Sequence, residues 1–169
     1  MSKQNKKKHT SVGIPNDTRF IAPVVDTLMN VFSTMVQVKP DIGESRIKQD
    51  DISKGDVTGL LKMEGDKANG SVAITFTTPV VIDLVKRMLN MDIQGIDEIA
   101  RDMAGEMANI VVGGAKNLLE EQGYHITMSL PQVFAGKGHH IKHIYSGQTI
   151  EIPFSISSGD FFVEVNFTE

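Results

Sequence analysis

Apolar residues return at threes and fours over three stretches of the chain and alternate over several others. Ile21, Val24, Val25, Leu28, Val31, Phe32 and Met35 make one helical face. Asp17 is placed to cap that helix, which the spacing carries to about Met35, and Pro23 is compatible with it only in the first turn. The chain then turns polar through Pro40, Gly43 and Lys54-Gly55, with short strands expected near 36–39 and 45–48. Residues 57–63 and 70–77 read as a hairpin, because Gly65, Asn69 and Gly70 supply a turn and Val72, Ile74 and Phe76 alternate with small or polar residues. Pro79 opens a second helix through about Asn90, with Val81, Ile82, Val85, Met88 and Leu89 as its apolar stripe. A long helix is expected from about Ile96 to Gln122, stopped at Gly123. Strand signals follow at 124–130, 140–145, 149–156 and 160–167, and Ser158-Gly159 marks a turn between the last two.

The two halves echo one another. Each begins with a long helix and ends with a hairpin whose last strand finishes in Phe, at SVAITF and FVEVNF, and the alignment sets Asn30 opposite Asn109. The expected fold is α+β, an internal pseudo-repeat of long helices packed on an antiparallel sheet. Only the first half carries the extra helix at 79–90. Residues 17–169 make the expected domain. Residues 1–16 have few apolar anchors and a lysine run, and read as a disordered basic arm.

Charge and composition narrow the function mostly by exclusion. The formal net charge is -4, from 17 basic and 21 acidic residues. Lys3, Lys6, Lys7 and Lys8 belong to the arm, so the rest of the chain holds 13 basic against 21 acidic residues, a net of -8. A body this acidic argues against a nucleic-acid surface, which needs a dense basic face. With no cysteine, disulfide frameworks, thiolate zinc sites and cysteine nucleophiles are excluded. No apolar run approaches the roughly 20 residues of a membrane span, and no apolar segment follows the early lysines as in a signal peptide. The expectation is a soluble, cytoplasmic domain.

The segment with most chemical content is DEIARDMAGEMANIVVGGAKNLLEEQGY. On a helical wheel Ala100, Met103, Ala104, Met107, Ile110, Val111, Ala115 and Leu118 form a core stripe, while Asp102, Glu106, Asn109, Gly113 and Lys116 gather in a polar sector expected to face solvent. Gly105, Gly113 and Gly114 lie inside the pattern, and each costs a helix about 1 kcal/mol relative to Ala. Close approach by another backbone or by a partner protein would explain them. Glu106 and Asn109 are three apart and so neighbours on one flank. Taken alone, such a pair is also ordinary solvated surface.

The frame Asp102, Glu106, Asn109 and, after a gap, Pro131, together with the words GEMANIVVGGAKNLL and GYHITMSLPQVFAGKGHHI, resembles the CheX proteins within the CheC/CheX/FliY phosphatase family. The resemblance extends more weakly over residues 18–169. It implies a CheC/CheX-like fold and a phosphatase acting on the phosphoaspartate of a CheY-like receiver domain in chemotaxis. By that resemblance Asn109 orients the attacking water and Glu106 pairs with a lysine of the receiver, with Asp102, Gly105, Gly113 and Lys116 as partner-binding positions. The resemblance also implies no cofactor or metal of the chain's own, with Mg²⁺ expected from the receiver. Thr27 stands where the first half would need a second Glu, so one active site per chain is expected, and the family likeness also implies a homodimer.

Other readings are weaker. His139, His140 and His143 follow Gly136-Lys137-Gly138, and the glycines oppose the helix that would make His139 and His143 an i, i+4 metal pair. They are expected as exposed strand or loop residues. Neither a phosphate-binding loop nor a G-x-S-x-G elbow is present. A non-catalytic receiver-docking or flagellar-switch adaptor is the alternative function, although an adaptor has no need of a water-orienting amide. A third reading gives the basic arm a nucleic-acid contact.

Overall fold

The computed structural model describes residues 19–168. The expected arm at 1–16 and the capping position Asp17 lie outside the described residues. Strand alternation builds one antiparallel sheet of eight strands: β1 (Asp41–Ile42), β2 (Arg46–Ile47), β3 (Val57–Gly65), β4 (Asn69–Phe76), β5 (Ile126–Met128), β6 (Gln132–Ala135), β7 (Thr149–Ile156) and β8 (Gly159–Thr168). The order across it is β1-β7-β8-β4-β3-β5, with β2 also on β7 and β6 also on β3. Two hairpins, β3-β4 and β7-β8, therefore meet through their second strands, and short strands finish both edges.

Alternation gives the sheet two unlike faces. Leu61, Met63, Val72, Ile74, Phe76, Ile150, Ile152, Phe154, Phe161, Val163 and Val165 are buried in one apolar core with the helices. Phe161 stacks on both Phe32 and Phe154, with ring centroids 4.8 and 5.2 Å apart. The helices covering this face are α1 (Ile21–Val31), α2 (Thr78–Leu89) and α3 (Glu98–Glu121). The opposite face carries Thr58, Leu60, Ser71, Ala73, Thr75, Glu151, Glu164 and Asn166, all buried. Residues 136–148 and 48–55 cross and cover it.

The expected helices exist, with shifted faces. α1 begins at Ile21 after Phe20, which caps it without a side-chain bond, and Pro23 sits in the first turn, where its missing N–H is not needed. The helix continues as a π-turn, Phe32–Val36, ending on Gln37 at φ 64°. The wider turn rotates the register, so Val36 is buried and Met35, expected in the core, is 44% exposed. The strand expected at 36–39 is displaced by that turn to Asp41–Ile42. Pro79 lies in the first turn of α2, whose buried residues are Val80, Val81, Leu84 and Val85. Leu89, expected on that stripe, is 51% exposed where the helix ends on left-handed Asn90.

The strand expected at 140–145 does not form. That segment belongs to the strap over the back of the sheet and touches a second chain segment through one bridge, Ile52 to His140. β6 forms instead, from residues with no strict alternation. The pairing of β4 with β8 suits the echo between the halves. Laying Ser71–Phe76 on Phe162–Phe167 is equivalent to a two-fold axis through the pair Ala73 and Glu164, which face each other across the two strands.

Candidate functional site

α3 is positioned from its first residue. Asp97 caps it, its carboxylate accepting the Ala100 N–H at 2.9 Å. Ala100, Met103, Ala104, Met107, Ala108, Val111, Val112, Ala115 and Leu119 are buried, while Ile110 and Leu118, expected in the core stripe, are only half-buried. The alanines let the helix lie close to the sheet. The limit of that approach is Gly59 of β3, where a Cβ would come 2.5 Å from the Ala104 carbonyl oxygen and 2.8 Å from the Ala108 Cβ.

The other flank carries the polar residues. Asp102 and Glu106 are exposed, while Asn109, Gly113 and Lys116 are half-buried. Glu106 and Asn109 lie within about 6 Å of each other by helix geometry. Neither side chain makes a hydrogen bond or ion pair among the described residues. Lys116 does, to Glu120 at 3.0 Å. The site is the flank of a helix rather than a concavity, which suits a macromolecular partner better than an enclosed small molecule.

The three helix glycines serve different purposes. A Cβ at Gly114 would lie 2.4 Å from Thr27 Cγ2, so this glycine lets α1 and α3 pack together. Gly105 is buried, and a Cβ there would meet Val133 Cγ2 at 3.0 Å and Pro131 Cβ at 3.8 Å. The expectation that Gly105 makes room for a partner is thereby corrected, because the space is filled by the chain itself. Gly113 alone has room, its nearest neighbour being Met128 Sδ at 4.0 Å. The same packing answers Thr27, which sits in the helix–helix contact rather than on an open flank.

The sequence pattern missed one neighbour. The chain from Met128 to Val133 runs along α3 in the opposite sense, Met128 lying by Gly113 and Pro131 and Val133 by Gly105. Leu130 lies between these two contacts, which bracket Asn109 along the helix, and it is 86% exposed. Its only signal in the sequence was the Leu-Pro pair.

The histidines lie elsewhere, on the covered back of the sheet. His139 Nε2 bonds Thr58 Oγ1 at 2.6 Å, His143 bonds Ser71 Oγ and, at 3.0 Å, Glu164 Oε1, and His140 Nδ1 bonds Asp51 Oδ1 at 2.8 Å. Only His140 is exposed, so the expectation of exposed residues holds for one of the three. The His140 hydrogen bond holds the Asp51 carboxyl below the usual carboxylate range. Burial, with the Glu64 carboxylate that accepts from the phenol, raises Tyr145. Among the described residues no three His, Asp or Glu side chains are grouped to hold a metal ion. No helix there is long and apolar enough to cross a membrane.

Comparison with known proteins places this arrangement. A sequence model described as chemotaxis phosphatase CheX matches residues 57–155, more than half of the chain. A CheC-like superfamily protein from Shewanella sp. PV-4 has the same fold at a TM-score of 0.85 and 40% identity, covering 90% of this chain and 99% of that one. The curated CheY-P phosphatase CheX of Thermotoga maritima is 24% identical over 148 residues, 86% of this chain and 93% of that protein. The fold also matches CheX from Borrelia burgdorferi, solved in a CheX-CheY-BeF₃-Mg²⁺ complex, at a TM-score of 0.73 and 20% identity over 89% of this chain and 98% of that one. Between the family match and an α+β architecture shared almost end to end, the chain belongs to the chemotaxis phosphatase CheX family.

Proposed function

We propose that this chain hydrolyses the aspartyl phosphate of a CheY-like receiver domain, with Asn109 and Glu106 as its working residues. The observation that carries the reading is the pair itself. A carboxamide and a carboxylate stand one helical turn apart on an open flank of α3, both without partners among the described residues.

The chemistry asks little more of this chain. The receiver's acyl phosphate is broken by water attacking phosphorus in line with the Asp oxygen, yielding free carboxylate and inorganic phosphate. The receiver carries Mg²⁺ and a lysine that offset the phosphoryl charge, so this chain supplies position. The Asn109 side-chain oxygen accepts a hydrogen bond from the water and its NH₂ donates, which orients the water without removing its proton. Glu106 pairs with the receiver lysine and sets the register of docking. Gly113 leaves the flank clear, and Asp102 extends its negative charge. The reading includes action in the cytoplasm, where such receivers work, and a homodimer, which light scattering on the purified chain tests directly.

The experiment is phosphate release from a phosphorylated receiver with Mg²⁺. Asn109→Ala is expected to lower kcat about a hundredfold with KM little changed, the size of effect that follows loss of positioning. An Asn109→Ala protein as fast as wild type would overturn the mechanism and favour a docking role alone.

A further inference from the structure

β5 and β6 both pair with β3, and between them the count of residues does not match. Met128 faces Met63 and Gln132 faces Leu60, so Ser129, Leu130 and Pro131 span what Leu61 and Lys62 span on the partner strand. The one extra residue is a bulge, a device that re-aims a side chain. It is pinned on both sides. The Ser129 N–H donates to the Lys62 carbonyl at 2.9 Å, the Lys62 N–H donates to Ser129 Oγ at 2.9 Å, and that hydroxyl donates on to the Leu130 carbonyl at 3.0 Å. Pro131 rests against Gly105 and confines the backbone of Leu130 to the extended region.

A lone exposed leucine on a protein surface is ordinary. This one is 86% exposed, more than any other large apolar side chain of the described residues, and its segment packs on α3 at Gly105 and Gly113, either side of Asn109. A backbone fixed in advance has little freedom left to lose on docking, so more of the side chain's burial counts towards affinity. We propose that Leu130 is a docking anchor, entering an apolar depression beside the phosphorylated aspartate of the receiver while Asn109 reaches the phosphoryl group. This rests on the phosphatase reading above and adds to it a specificity-determining residue outside the Glu–Asn pair. The receiver is the favoured occupant because the segment that carries Leu130 packs along the same turns of α3, between Gly105 and Gly113, that carry Glu106 and Asn109.

The test uses the full chain, its Leu130→Ser and Leu130→Met variants, and a receiver in two forms, phosphorylated for turnover and beryllofluoride-activated for binding. Leu130→Ser is expected to raise KM and Kd about tenfold, with kcat within twofold of wild type and an unchanged melting temperature, and Leu130→Met to restore both constants. Wild-type KM and Kd in Leu130→Ser would overturn the anchor. A change in the oligomeric mass of Leu130→Ser would also overturn it, by assigning the side chain to self-association. Failure of the parent reading is separable. It shows as no phosphate release by the wild type, whereas the binding measurement still reports on Leu130 by itself.

Discussion

That Asn109 and Glu106 share a flank was legible from spacing, because residues three apart on a helix do so whatever the fold around them, while their roles came from the family resemblance. What spacing cannot supply is the use of each neighbouring position. Gly105 and Gly113 read alike in sequence, yet one is walled in by Val133 and Pro131 and the other is open. Lys116, expected among the partner-binding positions, is paired with Glu120 one turn further along the same helix. Leu130 reads as one apolar residue in a strand and stands out in solvent. The glycine and Leu130 differences come from segments more than ten residues away along the chain. At this scale the sharpest prediction concerns charge. Glu106→Lys would turn the proposed attraction for the receiver's lysine into a repulsion and should raise the Kd for an activated receiver at least tenfold, about 1.4 kcal/mol. Because Glu106 is exposed, the melting temperature should stay that of wild type. Calorimetry showing equal affinity would remove the proposed lysine contact.

At the level of elements, long periodic segments were read well and their edges poorly. α3 runs from Glu98 to Glu121 against an expected 96–122. The faces of α1 and α2 slipped where backbone geometry departed from the regular helix, at the π-turn and at left-handed Asn90. β6 was missed because an edge strand beside a bulge need not alternate, and 140–145 misled because alternation also arises in a strap that buries Ile141 and His143 while exposing Lys142 and Ile144. Two glycine substitutions separate the roles of α3. Gly59→Ala drives a methyl into the helix backbone and should destabilise the protein by about 1–3 kcal/mol, while also displacing the candidate site. Gly113→Ala meets no such wall and should stabilise the helix by about 1 kcal/mol. The same methyl would narrow the proposed docking flank, so a rise in melting temperature should accompany a higher KM for phosphorylated receiver. Urea unfolding and turnover of the two variants check both signs.

On the scale of the whole molecule, the back of the sheet holds its own organisation. Glu151 and Glu164 face each other across β7 and β8, both buried, where like charges alone would repel. Lys48, itself buried, pairs with Glu164, and Arg46 and Lys54 reach Glu151 Oε1 at 2.7 and 2.9 Å. His143 adds a second contact to Glu164 from the strap. Removing one member of a buried pair strands the other, so Lys48→Met should cost about 3–5 kcal/mol, and Lys48→Met with Glu164→Gln should recover a large part of it. Denaturant midpoints of the single and double variants decide the matter. Nothing in the spacing of these residues announces the cluster, since Lys48 and Glu164 lie 116 positions apart. By itself the sequence determined the α+β class, the two hairpins, the long helix and the flank that carries Glu106 and Asn109, because periodicity and turn residues act within a few positions. Only the tertiary structure decided the strand order, the strap and its histidines, the closed and open glycines and the display of Leu130. Those depend on which distant segments meet, and the free energy of such meetings is written in no single stretch of chain.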